Sequence, residues 1–293
     1  MSSVSPRSML PVFARVLAVA ALGLASCAAQ TILHEQRGPD GTVIVSQDAS
    51  GLRTLRFAHG GARQSVVKPG DPAHLELAYA KAALVGLSLA EKPGRMLVIG
   101  LGGGSLPMYL RHYYPEAQID AVDISAQVVD VAKRYFGFRE DARMRAHVMD
   151  GRRFIEAARP GSYDLVILDA FGAASVPAPL TTREFLLAVR RALDPRGVVV
   201  GNVWGRGFNV LYDDMLRTYQ EVFDELYVVS AGAEVNNLLL ALPRSERLTQ
   251  AGLAARAQSV ALARGFRYDL GAIVQASFLH ANERLPASRV LRD

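Results

Sequence analysis

The segment VIGLGGGSLP, residues 98–107, limits the possible folds of this chain more than any other stretch, because it places four glycines among five consecutive residues. An apolar run, RMLVIG, precedes the glycines, and a segment with helical spacing, SLPMYLRHYY, follows them. Glycines at a strand-to-helix turn let the backbone approach a ligand closely. The dinucleotide spacing G-x-G-x-x-G is not met, and the lack of G-K-[ST] excludes a Walker loop. The loop therefore predicts a ligand-binding turn, or else a tight turn without a ligand.

Strand-like and helix-like segments alternate from residue 95 onwards. YDLVILDA and GVVVGNVW are nearly continuous apolar strands, and TTREFLLAVRRAL between them has the spacing of an amphipathic helix. Such alternation predicts an α/β fold with a mostly parallel sheet that helices cover on both faces. The last two strands, ELYVVS and NNLLLAL, are joined by the short AGAEV and predict an antiparallel edge.

The segments around this core predict four regions of the chain. We expect a signal segment over residues 1–27 and a small antiparallel β unit over 31–68, because turn sequences such as GPDG separate its strand-like runs. Residues 71–245 form the predicted nucleotide-binding domain, which begins with an expected helix over 71–89. Residues 246–293 form a predicted helical extension.

Three acidic residues each end a successive predicted strand. Asp123 can accept hydrogen bonds from ribose hydroxyls, Asp150 can accept one from an adenine amino group, and Asp169 ends the next strand. Each acid alone is more often a helix cap or turn residue. Because ligands in open α/β sheets bind beyond the carboxyl ends of the strands, the three together predict an adenosine-type site. The glycines expected to line it are Gly100, Gly102, Gly104 and, after Asp150, Gly151.

The N-terminal segment has the features of a secretory signal. Arg7 and Arg15 precede the apolar run VLAVAALGLAS, which is too short to span a bilayer comfortably. LASC resembles the bacterial lipobox and predicts lipidation of Cys27, the only cysteine in the chain. An ordinary signal peptide is the alternative. A used signal predicts the bacterial cell envelope, with the membrane reached by the lipid anchor only; otherwise the protein is cytoplasmic.

Charge and histidine placement argue against two classes of function. The formal net charge is +5, without a dense basic run, so we expect no nucleic-acid partner. The six histidines are scattered without an H-x-H or H-x-x-x-H pair, so we expect no metal.

The chain resembles the spermidine synthase family, whose fold is a small N-terminal β unit followed by a class I methyltransferase-like (Rossmann-like) domain. MLVIGLGGGSLP, AVDI, MDG, YDLVILDA and VPAPLTTREFL carry the resemblance, together with RQS and LELAYAKAALVGL. The resemblance implies nucleotide contacts for Gln64, Asp123 and Asp150. It implies a polyamine-side role for Tyr79 and a base or amine-positioning role for Asp169. It also implies S-adenosylmethionine or its decarboxylated form as donor, and a homodimer by analogy.

Three positions depart from that family at the places where cationic amines bind. The family's acids are replaced by Gly103 and Gly172, and the polar residue after its active-site tyrosine is replaced by Ala80. We therefore expect weak or absent spermidine synthesis, and Gly103→Asp with Gly172→Asp should raise aminopropyl transfer if the scaffold is intact. Residues 170–180, AFGAASVPAPL, have the composition of a lid.

A second resemblance leaves two transferred groups possible, an aminopropyl group and a methyl group. VIGLGGGSLP and GAEVNNLLLAL also resemble the spermidine-synthase-like domain of eukaryotic methyltransferases that modify a translation elongation factor. Those enzymes bind S-adenosylmethionine itself. The sequence therefore predicts transfer of an aminopropyl or methyl group to an amine or protein acceptor. The alternative is a non-catalytic envelope lipoprotein that binds a nucleoside or polyamine.

Overall fold

A computed structural model describes residues 30–38, 41–171, 176–232, 236–283 and 287–293. The predicted signal segment, Cys27 and Gly172 lie outside these ranges. Two sheets are formed. The strands of the first are β1 (Thr31–Gly38), β2 (Gly41–Gln47), β3 (Arg53–Arg56) and β4 (Ser65–Val67). The strands of the second are β5 (Arg95–Ile99), β6 (Gln118–Asp123), β7 (Met144–Val148), β8 (Tyr163–Leu168), β9 (Leu193–Trp204), β10 (Glu225–Ser230), β11 (Asn236–Leu242) and β12 (Leu279–His280).

Helices connect and cover these strands. They are α1 (Ala78–Ala83), α2 (Ser105–Tyr113), α3 (Ala126–Val131), α4 (Gly151–Ala157), α5 (Arg183–Ala192), α6 (Tyr212–Val222), α7 (Gln250–Arg264) and α8 (Leu270–Ala276). Helix α1 continues into a 3₁₀ turn, and α3 continues into a π-helical turn. None of the helices in the described ranges is long and apolar enough to cross a bilayer.

The second sheet has the order β12-β10-β11-β9-β8-β5-β6-β7. Strands β7, β6, β5, β8 and β9 are parallel, whereas β11 runs antiparallel to both of its neighbours. The α/β fold with a mostly parallel sheet and an antiparallel edge is thus confirmed. In this edge β11 lies between β9 and β10, and the two-residue β12 is the outermost strand.

Both faces of this sheet are buried, as continuous apolar strands require. Met96 and Val98 of β5 face one core with α2, α7 and α8, and Leu97 and Ile99 face the other with α5 and α6. All four side chains are at most 2% exposed. Each such burial stabilises the fold by roughly 1.5–3 kcal/mol relative to an exposed side chain. The carboxyl ends of the parallel strands are therefore rigidly placed.

The small sheet β1–β4 is an antiparallel meander that packs on α3. Val45 and Leu55 are fully buried against Val131 and Phe136, in a third core separate from the other two. This packing places the start of β4 beside the glycine loop, since an added Cβ at Gly102 would lie 3.2 Å from the Cβ of Ser65. The small sheet consequently supplies one wall of the space beyond the strand ends.

The helix expected over residues 71–89 is shorter, because α1 begins only at Ala78. At the start of this segment Asp71 pairs with Arg267 at 2.7 Å, and Tyr268 hydrogen-bonds to the backbone of Leu75. These contacts from the C-terminal region hold residues 71–77 in a non-helical conformation. They are long-range in sequence, so helical periodicity could not reveal them.

The C-terminal region contains more than the expected helices. Beside α7 and α8, it supplies β12, which pairs with β10 through Tyr227–His280 and Val228–Leu279. The buried carboxylate of Glu225 holds this region by accepting hydrogen bonds from the backbone N–H of Glu246 and from Asn282.

Candidate active site

A cavity of about 580 Å³ lies beyond the carboxyl ends of the parallel strands. Its size is in the range of small-molecule sites. It brings together all the sequence-predicted nucleotide and catalytic residues except Gly104. These residues are Gln64, Tyr79, Gly100, Gly102, Asp123, Asp150, Gly151 and Asp169.

The glycine loop reaches the cavity because Gly100 has no side chain. Its φ is +103°, and an added Cβ would lie 2.3 Å from the carbonyl oxygen of Asp169. The loop thus touches the backbone of the residue that ends β8. Gly104, with φ +79°, is instead the N-cap of α2, and Phe138 would crowd a Cβ there. Its role is to turn the chain into the helix.

Asp123 shapes the glycine loop from the end of β6. Its Oδ2 accepts hydrogen bonds from the backbone N–H groups of Leu101 at 3.0 Å and Gly102 at 3.4 Å. Its Oδ1 accepts one from the N–H of Ser125 at 3.0 Å. A nucleoside hydroxyl would share this carboxylate with the backbone, so Asp123 has a loop-organising role that the sequence did not reveal.

Asp123→Ala should weaken binding of S-adenosylhomocysteine by about 1.5–3 kcal/mol, because hydrogen bonds to a charged partner have about that value. We expect Asp123→Asn to lose less, since an amide oxygen still accepts from the loop. Calorimetric titration measures both affinities, and thermal unfolding tests the fold. Unchanged affinity of a folded Asp123→Ala variant would place the nucleoside elsewhere.

Asp150 and Gly151 begin α4 at the end of β7. The Oδ1 of Asp150 accepts the N–H of Arg153 at 2.9 Å, so this acid is a helix cap and also lines the cavity. An added Cβ at Gly151 would lie 2.5 Å from Cγ2 of Ile99. Glycine therefore allows α4 to start close to the strand that carries the loop.

Asp169 lies at the end of β8 between two hydrogen-bond donors. Asn202 donates through Nδ2 to Oδ1 at 2.8 Å, and the hydroxyl of Tyr79 donates to Oδ2 at 3.2 Å. Burial raises the pKa of Asp169 to about 7, although both hydrogen bonds oppose that rise. A carboxyl group with a pKa near neutrality is suited to accept a proton.

Sequence reasoning missed the amide pair behind Asp169. Asn236 donates through Nδ2 to Oδ1 of Asn202 at 2.9 Å, and both line the cavity. Asn202 is 3% exposed and interrupts the otherwise apolar second half of β9, two residues before the end of the strand. That interruption was the available signal. Antiparallel β11 brings its first residue, Asn236, to the edge where the parallel strands end.

Two of the positions that depart from the resembled family are buried. Gly103 is covered by Phe136 and Ser65, whose nearest atoms would lie 2.9 and 3.0 Å from an added Cβ. Ala80 is 2% exposed in α1. Neither lines the cavity. An aspartate at Gly103 would need the surrounding side chains to move, which opposes the expectation that Gly103→Asp restores an amine contact.

Metal ligands do not converge in the part of the chain that the structure describes. No three side chains of the His, Cys, Asp and Glu types lie together there in a way that could hold an ion. The absence of a metal stays a prediction.

Comparisons with known proteins identify a family and individual relatives of this chain. The family model described as the spermine/spermidine synthase domain matches residues 78–228. A polyamine aminopropyltransferase of Vibrio vulnificus is 36% identical over 230 residues, which cover 75% of this chain and 76% of the relative.

Methyltransferases are similar over a shorter range. A bovine eEF1A lysine and N-terminal methyltransferase is 35% identical over 194 residues, which cover 60% of this chain but only 28% of that protein. The crystal structure of human methyltransferase-like protein 13 in complex with SAH superposes with a TM-score of 0.57 at 31% identity. It covers 68% of this chain and 93% of that one. The similarity therefore extends to two kinds of transferase.

Proposed function

The chain belongs to the spermine/spermidine synthase family, and within this family we propose that it transfers a methyl group from S-adenosylmethionine to an amine. Its relatives are aminopropyltransferases and methyltransferases that depend on an S-adenosyl-type donor, and the chain has the fold of both. The cavity fits such a donor: two acids follow adjacent strands, and a glycine loop lies between them and Asp169.

The packing of Gly103 is the observation that favours methyl transfer over aminopropyl transfer. A decarboxylated donor ends in a bare ammonium, which favours a carboxylate partner, and the position resembling the family's aspartate has no room for one. The cavity near the loop instead has Arg63 and the first residues of α2, Ser105 and Leu106. A cationic side chain and a helix N-terminus both favour the carboxylate that S-adenosylmethionine retains.

Aminopropyl transfer is the second candidate. The identity of 36% to the Vibrio vulnificus aminopropyltransferase over most of both chains favours it. Both reactions are displacements at a carbon next to a sulfonium, so they make the same demand on Asp169.

The proposed mechanism assigns three tasks to the chain. The bound donor supplies an electrophilic carbon attached to a positively charged sulfur. Asn202 and Tyr79 orient the Asp169 carboxylate by hydrogen bonds. That carboxylate positions the acceptor amine, whose nitrogen forms the new C–N bond as the C–S bond breaks and its electrons go to sulfur. Asp169 takes the proton that the nitrogen loses.

A donor comparison tests this function. Purified protein is incubated with an amine panel and either S-adenosylmethionine or decarboxylated S-adenosylmethionine, and the thioether products are quantified. We expect S-adenosylhomocysteine to accumulate, with methylthioadenosine at least tenfold slower. Faster methylthioadenosine formation would favour the second candidate. Binding of either thioether without any turnover would favour the non-catalytic alternative.

The rate should rise with pH through about 7. Asp169 accepts a proton only when ionised, and its pKa is raised to about 7, so the active fraction grows as pH rises through that value. The profile of kcat/KM for the donor at saturating acceptor measures this limb. Deprotonation of the amine itself gives a separate limb at higher pH, which Asp169→Asn should retain. A wild-type profile without the limb near 7 would exclude Asp169 as the base.

Lipidation at Cys27 is the proposed route to the cell envelope, because LASC ends the apolar run. Mass spectrometry of the membrane fraction should find a diacylglyceryl cysteine as the first residue, and Cys27→Ser should release the protein from that fraction. A soluble protein that retains Met1 would contradict this proposal.

A further inference from the structure

The cavity has an aromatic wall, which we define as Phe171, Trp204 and Phe208. All three line the cavity, and the rings of Phe171 and Trp204 stack with centroids 5.6 Å apart. Trp204 lies two residues after Asn202 on β9, so both side chains are on the same face of the strand. Phe171 lies two residues after Asp169. The aromatic wall therefore adjoins the group proposed to hold the acceptor nitrogen.

Negative charge near this wall comes from a single described residue. The charged side chains among the described residues of the lining are Arg63, Asp123, Asp150 and Asp169. Asp123 and Asp150 end β6 and β7, on the other side of β5 from Asp169, and belong to the donor half. Among the described lining residues, Asp169 is therefore the one carboxylate left for an amine.

We propose that the acceptor has one amine and an uncharged apolar body, with the amine at Asp169 and the body against the aromatic wall. This inference rests on the proposed function and names its substrate class. A second ammonium group would lose water there without a carboxylate in return. An alkyl or aryl body gains from the same loss of water.

Cation–π attraction is the physical effect that opposes this inference. An ammonium over an aromatic face is favourable, and Trp is the best partner for it. The offset stacking of Phe171 and Trp204 covers part of one face of each ring, which reduces the surface available to a cation. The exposed ring of Phe208, 68% accessible, lies where water still competes for an ammonium.

Pentylamine and putrescine form a matched pair for the test, since a methyl group in one replaces the second amine of the other. At saturating S-adenosylmethionine and pH 8, kcat/KM for pentylamine should exceed that for putrescine at least tenfold. Phenethylamine should resemble pentylamine. Calorimetry should show the same order of affinity for the protein, with and without S-adenosylhomocysteine.

Substitutions of Trp204 test whether the preference for pentylamine depends on the aromatic wall. Trp204→Ala should lower kcat/KM for pentylamine at least tenfold and leave the affinity for S-adenosylhomocysteine within twofold. Trp204→Phe should retain most of the activity, because an aromatic face remains. Leu262→Ala is the matched control, since this residue is 72% exposed on α7 and outside the cavity lining.

The outcomes separate this inference from the proposed function. Putrescine used or bound as well as pentylamine would overturn the inference while transfer itself stands. Loss of putrescine use in Glu234→Gln, a position outside the described residues, would assign the second ammonium to that residue and also overturn it. Preferential binding of pentylamine without any transfer would support the inference and refute the proposed function.

Discussion

Replacing Asp169 by asparagine is expected to lower kcat about 10²–10⁴-fold, the usual contribution of general acid–base catalysis. Asparagine can still accept the hydrogen bond from Asn202, so the side chain should keep its position. It cannot take a proton from the acceptor nitrogen. Single-turnover measurements with saturating donor would isolate this step from product release.

Stability should separate this catalytic loss from unfolding. Burial raises the pKa of Asp169 from its ordinary value of 3.8 to about 7 in the folded protein, so the folded state loses stability as pH rises from about 3.8 to about 7, and the loss is complete above that range. A neutral asparagine avoids this cost, and the unfolding free energy of Asp169→Asn at pH 8 should equal or exceed that of the wild type.

Tyr79→Phe is the matched control for Asp169. It removes the hydroxyl that donates the 3.2 Å hydrogen bond to Oδ2 but keeps the ring, so we expect a much smaller loss of kcat. Equal losses in the two variants would show that the hydroxyl is needed as much as the carboxylate, which would contradict a purely orienting role of Tyr79.

Gly103→Asp is expected to lower the unfolding free energy by at least about 3 kcal/mol. An added Cβ would lie 2.9 Å from Phe136, a fully buried ring in the third core, and a carboxylate would follow it into that space. Overpacking costs roughly 1–3 kcal/mol, and an unpaired buried charge costs several more. The midpoint of thermal unfolding should fall on the order of 10 °C.

Two further variants separate the steric part of this loss of stability from the part that the buried charge causes. Gly103→Ala keeps the steric contact and removes the charge, so its loss should be about 1–3 kcal/mol. Ser65→Ala combined with Gly103→Ala should recover part of that loss, because Ser65 Oγ is the second crowded atom at 3.0 Å. A Gly103→Asp protein with wild-type stability and faster aminopropyl transfer would contradict this interpretation of the loop.

The fold was predictable where it depends on local pattern. Apolar runs and their spacing indicated the parallel strands, and the chain order of Asp123, Asp150 and Asp169 indicated one shared edge. The order of the antiparallel strands was not predictable, because β10 and β11 pair with each other whether β10 or β11 lies beside β9. The late start of α1 depends on Arg267 and Tyr268, almost two hundred residues away.

The site was predictable in its donor half and less so around Asp169. Acids at strand ends are conspicuous because an ionised group is rarely placed inside a sheet without a partner. Amides such as Asn202 and Asn236 carry no such cost once paired, so the only sequence signal is the weak one of Asn202 within an apolar strand. The buried surroundings of Gly103 were likewise hidden, since Phe136 follows it by more than thirty residues.

The reversed strand β11 has a consequence for how new specificities can be built from this scaffold. Because it returns to the strand-end edge, the acceptor-side residues from Asp169 to Asn236 form one continuous stretch of chain, with Tyr79 as the exception. The donor-side residues lie before it, between Arg63 and Gly151. A single genetic crossover between positions 152 and 162 therefore separates most of the donor-side residues from most of the acceptor-side residues. Recombination among relatives could then exchange the acceptor specificity while the donor specificity is retained.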